Sequence, residues 1–134
     1  NQAGIQTPAN IAVIQERWGP FKARSWYICE HVPSSTLIDH LNQDKSALPE
    51  IDRIAANIRS IFSILKSSLL SHGDFKASNI LLTPSGLWLI DLDAARKHGN
   101  RKSFERAYRK DLNRFLRNWA QNDALYQAFK NSLC

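Results

Sequence analysis

The sequence lacks methionine altogether, and its only two cysteines, Cys29 and Cys134, stand far apart. Two isolated cysteines do not support a disulfide framework, and the first residues show no signal-peptide pattern, so we expect a reducing, cytoplasmic setting. No apolar run exceeds four residues, whereas a membrane-spanning helix needs about 18. The sequence therefore predicts no transmembrane helix. Because residue 1 is asparagine and not methionine, we expect the chain to be part of a longer protein.

What is present suffices for one domain or one lobe, since the 134 residues are 43% hydrophobic. Segments 11–17 and 25–30 are rich in β-branched and aromatic residues, and a Gly-Pro turn separates them. They predict a β-hairpin. Segments 80–82 and 87–90 predict a second hairpin, joined by the four residues 83–86.

Apolar residues at intervals of three and four predict the helices. A helical turn is expected over 36–41, followed by a linker, and a long helix over about 49–70, with Pro49 in its first turn and Gly73 as its stop. The apolar stripe of the next helix consists of Phe104, Tyr108, Leu112, Phe115, Leu116 and Trp119, and we expect it to lie in the core. A last helix is expected over about 122–132. The predicted fold class is α+β.

Positive charge is concentrated in one segment. Between Arg96 and Arg117 there are nine basic and two acidic residues, a net charge of +7 in a chain whose total is +6. The rest of the chain is therefore near neutral. Such a basic stripe could meet nucleic acid, anionic lipid or a phosphorylated saccharide, or it could be a solvated helix face.

The stretch that carries chemistry is 72–82, His-Gly-Asp-Phe-Lys-Ala-Ser-Asn-Ile-Leu-Leu, together with Asp91 after the second hairpin. Phosphoryl transfer needs a carboxylate for the hydroxyl proton, oxygen ligands for Mg²⁺ and a cation on the transferring phosphate. The hairpin folds back on itself. Asn79, just before its first strand, and Asp91, just after its second, should therefore emerge at the same end.

Each group that this chemistry requires has a candidate. We expect Asp74 to act as the base and Lys76 as the cation at the γ-phosphate. Asn79 and Asp91 would hold Mg²⁺, because both offer hard oxygen donors and no Cys or His cluster lies nearby. His72 would brace the loop rather than react.

At these positions the sequence resembles the protein-kinase-like superfamily, whose catalytic loop reads His-Arg-Asp-x-x-x-x-Asn. Asp74 and Asn79 have that spacing, and Lys76 stands two residues after the aspartate. Gly73 replaces the arginine that couples this loop to a phosphorylated activation loop, and Ile-Asp-Leu-Asp of 90–93 replaces Asp-Phe-Gly. The resemblance thus implies a kinase without that switch. His-Gly-Asp is shared with aminoglycoside and choline phosphotransferases, which points to a small-molecule acceptor.

Three further segments, 90–96, 104–107 and 110–119, are similar to the lipopolysaccharide kinases of Gram-negative bacteria, the Kdo/WaaP family. This resemblance implies a protein-kinase-like C-terminal lobe, mainly α-helical with short β-hairpins. It also implies an enzyme that phosphorylates a sugar of the lipopolysaccharide inner core, with ATP and Mg²⁺.

The same resemblance implies a division of the chain. Residues 1–33 would be the end of the N-terminal lobe, its strands 4 and 5, and the hinge. Residues 34–134 would be the C-terminal lobe, with catalytic loop 72–79 and metal-binding segment 90–93. A kinase also needs a glycine-rich loop, a strand lysine and a helical glutamate, which would all precede these residues. We therefore expect the chain alone to be weakly active or inactive.

Residues 26–32, Trp-Tyr-Ile-Cys-Glu-His-Val, resemble the fifth strand and hinge of a kinase. By that resemblance, main-chain groups of Glu30 and Val32 would bind adenine, and Cys29 would be the gatekeeper. Taken alone, Cys29 has the plainer interpretation of a buried free thiol, and Glu30 that of a charge at a strand end.

The basic stripe would then meet the acceptor, an anionic saccharide or glycolipid, with Arg96, Arg109 and Lys110 as candidate substrate residues. Peripheral contact with the anionic surface of the inner membrane is a further expectation. Three alternatives stay open: an incompetent kinase-like scaffold, an aminoglycoside-type kinase and a basic nucleic-acid-binding domain. The joint presence of Asp74, Asn79 and Asp91 argues against the scaffold, which needs no metal ligands.

Overall fold

The computed structural model describes residues 4–43 and 48–134 and shows a mixture of helices and small antiparallel sheets. Its strands are β1 (Asn10–Trp18), β2 (Phe21–Cys29), β3 (Ser35–Thr36), β4 (Leu70–Ser71), β5 (Ile80–Thr83), β6 (Gly86–Leu89) and β7 (Arg96–Lys97). Its helices are α1 (Leu37–Gln43), α2 (Leu48–Ser67), α3 (Arg101–Arg117) and α4 (Asp123–Leu133), with a 3₁₀ turn at Ala77–Asn79. The α+β class is confirmed. None of the described helices is long and apolar enough to cross a bilayer.

The predicted first hairpin is present, formed by β1 and β2. It is an open ribbon, and large apolar side chains such as Trp18 (83% exposed) and Phe21 (75% exposed) lie on its surface. Cys29 at its end is exposed as well, so the interpretation of a buried thiol is wrong. The reason is that a lone pair of strands encloses no interior, and a residue is buried there only if another element packs on the ribbon.

Helix α2 supplies the largest part of the core, because its apolar residues recur on one face. Ile54, Ile58 and Phe62 are at most 2% exposed. The helix ends at Ser67, three residues before the predicted end, and the proposed stop at Gly73 is wrong. Leu69 breaks it by adopting a left-handed conformation (φ 52°), after which Leu70 and Ser71 pair with β7. The linker predicted after α1 falls partly on residues 44–47, outside the described residues.

The second hairpin, β5 and β6, has a shorter turn than predicted. Thr83 and Gly86 pair with each other, which leaves only Pro84 and Ser85 as the connection. The Thr83 hydroxyl donates to the Gly86 carbonyl oxygen at 2.9 Å, and this hydrogen bond stabilises the turn. The pairing continues beyond the strands, since the Ile90 amide donates to the Asn79 carbonyl oxygen at 3.0 Å. The chain therefore leaves β6 beside the residue that precedes β5.

Helix α3 begins where Asn100 caps it, accepting a hydrogen bond from the Ser103 amide at 2.9 Å. Its apolar stripe lies in the core as predicted: Phe104 and Phe115 are at most 2% exposed, and Trp119, just beyond the helix, is 1% exposed. The predicted last helix is confirmed as α4. Helices α2, α3 and α4 thus form the base on which residues 72–79 and the second hairpin lie.

Candidate active site

Residues 72–79 follow β4 and lead into β5, and one buried side chain fixes the start of this loop. Asp111, on α3, is 2% exposed. Its Oδ2 accepts hydrogen bonds from the amides of His72 (2.8 Å) and Gly73 (3.1 Å), and its Oδ1 accepts one from Phe75 (3.5 Å). One carboxylate therefore accepts hydrogen bonds from three backbone amides. Packing against α3 and the core shields these amides from water, so without Asp111 they would have no acceptor.

The sequence analysis gave Asp111 no role of its own, and included it only as an acid of the basic segment and as part of segment 110–119. The sequence does indicate that Asp111 is buried, because it lies three residues after Tyr108 and four before Phe115, on the apolar stripe of α3. A carboxylate on a buried stripe needs donors, and the loop amides supply them.

Gly73 is required by the shape of this loop. Its backbone is in the left-handed region (φ 84°), and a Cβ atom there would lie 2.5 Å from the carbonyl oxygen and 2.7 Å from the Cβ of Ala94. A side chain at this position, such as the arginine of protein kinases, would collide with the segment that follows Asp91. Gly73 therefore lets two parts of the site approach each other.

Replacing Gly73 with alanine should destabilise the fold by about 2–4 kcal/mol, because the left-handed backbone and the contact with Ala94 both disfavour a Cβ. Chemical denaturation measures this free energy of unfolding. Gly99→Ala is the matched control, since nothing lies within 4 Å of a Cβ there, and should change stability by less than about 0.5 kcal/mol. Equal effects of the two substitutions would show that the approach of Ala94 is not tight.

His72 connects the loop to the end of the hairpin. It is 2% exposed, its Nε2 lies 3.1 Å from the Ile90 carbonyl oxygen, and its Nδ1 accepts the Asp74 amide at 3.3 Å. Burial lowers the pKa of His72 below its ordinary value, and this outweighs the opposing effect of the nearby carboxylates. A neutral imidazole that donates from Nε2 and accepts at Nδ1 fits both contacts, as a bracing role requires.

The structure brings Asp74, Asn79 and Asp91 together. Asn79, 6% exposed at the end of the 3₁₀ turn, donates from Nδ2 to the Asp74 carbonyl oxygen at 3.0 Å. The same nitrogen lies 3.3 Å from one carboxylate oxygen of Asp74 and 3.3 Å from one of Asp91. Asp91 adopts a left-handed conformation (φ 59°), which turns the chain as it leaves β6. Asn79 is therefore in direct contact with both carboxylates.

Two cations flank Asp74. Lys76 Nζ lies 2.8 Å from Oδ2, and Arg114 of α3 donates from Nη1 to Oδ1. The hydrogen bond from Lys76 is the largest of the influences that lower the pKa of Asp74, and the contact with Arg114 acts in the same direction. Sequence reasoning placed Lys76 here but missed Arg114, which is 40 residues away along the chain and no different in sequence from its basic neighbours.

Asn79 and Asp91 fit a magnesium site. Because Nδ2 of Asn79 is engaged by the Asp74 carbonyl oxygen, its amide oxygen is the atom available to a cation. Mg²⁺ in kinases is held by one or two such side chains and by the phosphates of the substrate. Among the described residues no group of three or more His, Cys, Asp and Glu could hold a metal ion. Two side-chain ligands, one from Asn79 and one from Asp91, would be enough for Mg²⁺ because phosphates of the substrate supply further ligands.

A cavity of about 490 Å³ lies between the first hairpin and the segment after β6. Cys29 and Tyr27 line it on one side, and Asp91 lines it on the other. Glu30 and Val32 do not line this cavity. The Glu30 amide donates to the Ala9 carbonyl oxygen at 2.9 Å, so this amide is already engaged within the protein.

The three candidate substrate residues of the basic stripe do not gather at one place. Arg96 lies in β7, opposite Ser71, and is exposed. Arg109 lines a small hollow of about 300 Å³ on α3. Lys110 borders that hollow too, but it also lines a larger cavity of about 900 Å³ together with Arg114. Of the three, Lys110 is therefore the one that shares a cavity with a partner of Asp74.

Comparison with protein families matches residues 1–132 to the family described as lipopolysaccharide kinase (Kdo/WaaP) family. A search of curated proteins finds no match.

Proposed function

Because the chain belongs to the lipopolysaccharide kinase (Kdo/WaaP) family, we propose that it is the hinge and C-terminal lobe of an enzyme that transfers the γ-phosphate of ATP to a sugar hydroxyl of the lipopolysaccharide inner core. Membership of a kinase family supports phosphoryl transfer at the general level. The observation that carries the finer proposal is the direct contact of Asn79 with both Asp74 and Asp91.

In this proposal Asp74 receives the acceptor hydroxyl. The Asp74 carboxylate is ionised at neutral pH, since its pKa is lowered from an already acidic value, so it can accept the hydroxyl hydrogen bond and point the oxygen toward the phosphate. The transition state of phosphoryl transfer is loose, and orientation therefore matters more than early removal of the proton. Lys76 is 2.8 Å from the carboxylate and would be beside the γ-phosphate as it meets the hydroxyl, where its charge would offset the phosphate charge.

Asn79 and Asp91 would hold Mg²⁺, which neutralises phosphate charge when it is bound. The nucleotide would occupy the cavity bordered by Cys29 and Asp91, since residues of the first hairpin and one proposed magnesium ligand both line it. The Glu30 carbonyl group and main-chain groups of Val32 would bind adenine, although neither residue lines the cavity. The division into residues 1–33 and 34–134 follows from the same assignment, with the nucleotide between the two parts.

The experiment that tests this function is nucleotide binding by Asp91→Asn with and without Mg²⁺. With Mg²⁺ present, the affinity for ATP should fall by about tenfold or more, because asparagine removes the charge that holds the cation. Without Mg²⁺ the variant and the parent should bind ATP alike. Titration calorimetry measures both.

The matched control is Asp93→Asn, two residues further along the same exposed segment. It lines the same cavity but is not in contact with Asn79, so its Mg²⁺-dependent affinity should stay within about threefold of the parent. Equal losses in the two variants would indicate a general charge effect and would refute Asp91 as the magnesium ligand.

A further inference from the structure

Helix α3 contacts the loop 72–79 through three side chains that are spaced by three and four residues. Asp111 accepts hydrogen bonds from three loop amides. Arg114 donates to the carboxylate of Asp74. Asn118, at the end of the helix, accepts a hydrogen bond from the Ala77 amide at 3.2 Å. The spacing places all three on one face of the helix. Two of these contacts hold the backbone of the loop, and only the contact from Arg114 reaches the side chain of the proposed base.

The two carboxylate oxygens of Asp74 have different partners. Oδ1 accepts a hydrogen bond from Nη1 of Arg114. Oδ2 lies 2.8 Å from Nζ of Lys76 and 3.3 Å from Nδ2 of Asn79. In the proposed function Lys76 contacts the γ-phosphate and Asn79 contacts Mg²⁺. Oδ2 is therefore the oxygen whose neighbours would also contact the nucleotide, whereas Oδ1 is held from α3.

The two cations differ in how firmly they are held. The ammonium group of Lys76 lies on a flexible stem, and a γ-phosphate would compete with Oδ2 for it. Arg114 has no second partner in the proposed function, and its place on α3 is well fixed. The next residue, Phe115, is 0% exposed, and Asn118 Nδ2 donates to the Arg114 carbonyl oxygen at 2.7 Å. Nucleotide binding would therefore draw Lys76 toward the phosphate and leave Arg114 on Oδ1.

We propose that Arg114 is a positioning residue of the transfer reaction, which holds Oδ1 of Asp74 so that Oδ2 receives the acceptor hydroxyl. The χ2 torsion of aspartate is broad, so a carboxylate without this partner would rotate more freely. In the reaction the hydroxyl oxygen bonds to the γ-phosphorus, the bond from that phosphorus to the bridging oxygen breaks to release ADP, and the hydroxyl proton passes to Oδ2. This inference rests on the proposed function and adds to it a residue 40 positions further along the chain.

Steady-state kinetics of Arg114→Gln and Arg114→Lys in the full-length protein test the proposal. The substrates are ATP and a dephosphorylated inner-core oligosaccharide of lipopolysaccharide. Arg114→Gln should lower kcat by at least about tenfold, because a misplaced base slows the reaction, while KM for both substrates should change by less than about threefold. Arg114→Lys keeps the charge but not the planar guanidinium group, so it should recover at least about threefold of that loss.

The matched control is Arg59→Gln, which removes an exposed arginine of α2, outside the basic stripe. Its kcat should stay within about twofold of the parent, because exposed charges far from the site contribute little. A kcat of Arg114→Gln within the same twofold would overturn the proposal. A rise in KM for the oligosaccharide at unchanged kcat would also overturn it, because Arg114 would then bind the acceptor instead of positioning the base.

A double variant distinguishes an effect through Asp74 from direct contact with a substrate. If Arg114 acts only through the carboxylate, Arg114→Gln should cost less than about twofold in kcat once Asp74 is already replaced by asparagine. A loss in the Asp74→Asn background as large as the loss in the parent would overturn the proposal, because Arg114 would then act on the reactants without Asp74.

Thermal unfolding distinguishes positioning from a contribution to folding. Arg114 is 45% exposed, so its ion pair should add little stability, and Arg114→Gln should shift Tm by less than about 4 °C. A loss of kcat that only matches a loss of folded protein, counted by the stoichiometry of Mg²⁺-dependent ATP binding, would overturn the proposal. If Asp74→Asn lowers kcat and Arg114→Gln does not, the positioning role fails and the proposed function stands. A parent that cannot phosphorylate the oligosaccharide would refute the proposed function, and this inference with it.

Discussion

Replacing Asp74 with asparagine should lower kcat of phosphoryl transfer by about a thousandfold in the full-length protein. A positioned base contributes about 10²–10⁴-fold to such a reaction, and an amide cannot accept the hydroxyl proton. The substitution also removes the charge that Lys76 and Arg114 now share, so both cations would be drawn away from the hydroxyl site. The measurement is a steady-state assay with saturating ATP and acceptor.

KM for ATP should change by less than about threefold, because the nucleotide side of the site depends on Asp91 and Asn79 rather than on the Asp74 carboxylate. Asp52→Asn, an exposed position on α2, serves as the control and should leave kcat unchanged. An Asp74→Asn enzyme that retains more than a tenth of the parental kcat would refute the assignment of the base.

Asp111→Ala should cost about 3–5 kcal/mol of unfolding free energy. Its carboxylate is 2% exposed and accepts from the amides of His72, Gly73 and Phe75, and alanine leaves these donors without an acceptor. The loss is a large fraction of the stability of a typical domain, which is about 5–15 kcal/mol. Urea denaturation followed by tryptophan fluorescence measures it.

Asp111→Asn keeps the prediction measurable if the alanine variant does not fold. One amide oxygen can still accept from His72 and Gly73, while the new NH₂ group faces the Phe75 amide, so a smaller loss of about 1–2 kcal/mol is expected. Asp52→Ala is the exposed control and should change stability by less than about 0.5 kcal/mol. An alanine variant within 1 kcal/mol of the parent would show that Asp111 does not fix the loop.

The contact between Asp74, Asn79 and Asp91 could be predicted from the sequence, because it depends on one hairpin and a few residues before it. Asn79 and Asp91 flank one hairpin, and any antiparallel pairing of β5 with β6 returns the chain to its starting point. Asp74 is only five residues before Asn79, so it cannot lie far away. The helices were predictable for a similar reason, since their apolar spacing follows from one period.

The contacts that α3 makes with the site could not be predicted from the sequence in the same way. Arg114 meets Asp74 across 40 residues, and Asp111 meets His72 across 39, so both contacts depend on how α3 packs against the loop. The role of Gly73 could not be predicted from the sequence either, because it too depends on tertiary packing. Its sequence context suits a helix stop, but its actual role comes from Ala94, whose carbonyl oxygen tertiary packing brings within 2.5 Å of where a Cβ at position 73 would lie. Cys29 was misjudged because burial on a ribbon depends on what packs against it.

The central claim, that Asn79 and Asp91 gather a magnesium nucleotide beside Asp74, is tested most directly by anomalous diffraction. Crystals of the full-length protein would be grown with Mn²⁺ in place of Mg²⁺ and with a non-hydrolysable ATP analogue. The account predicts a manganese peak within about 2.5 Å of the Asn79 amide oxygen and of an Asp91 carboxylate oxygen. A manganese–nucleotide complex bound elsewhere, with neither side chain as a ligand, would contradict it.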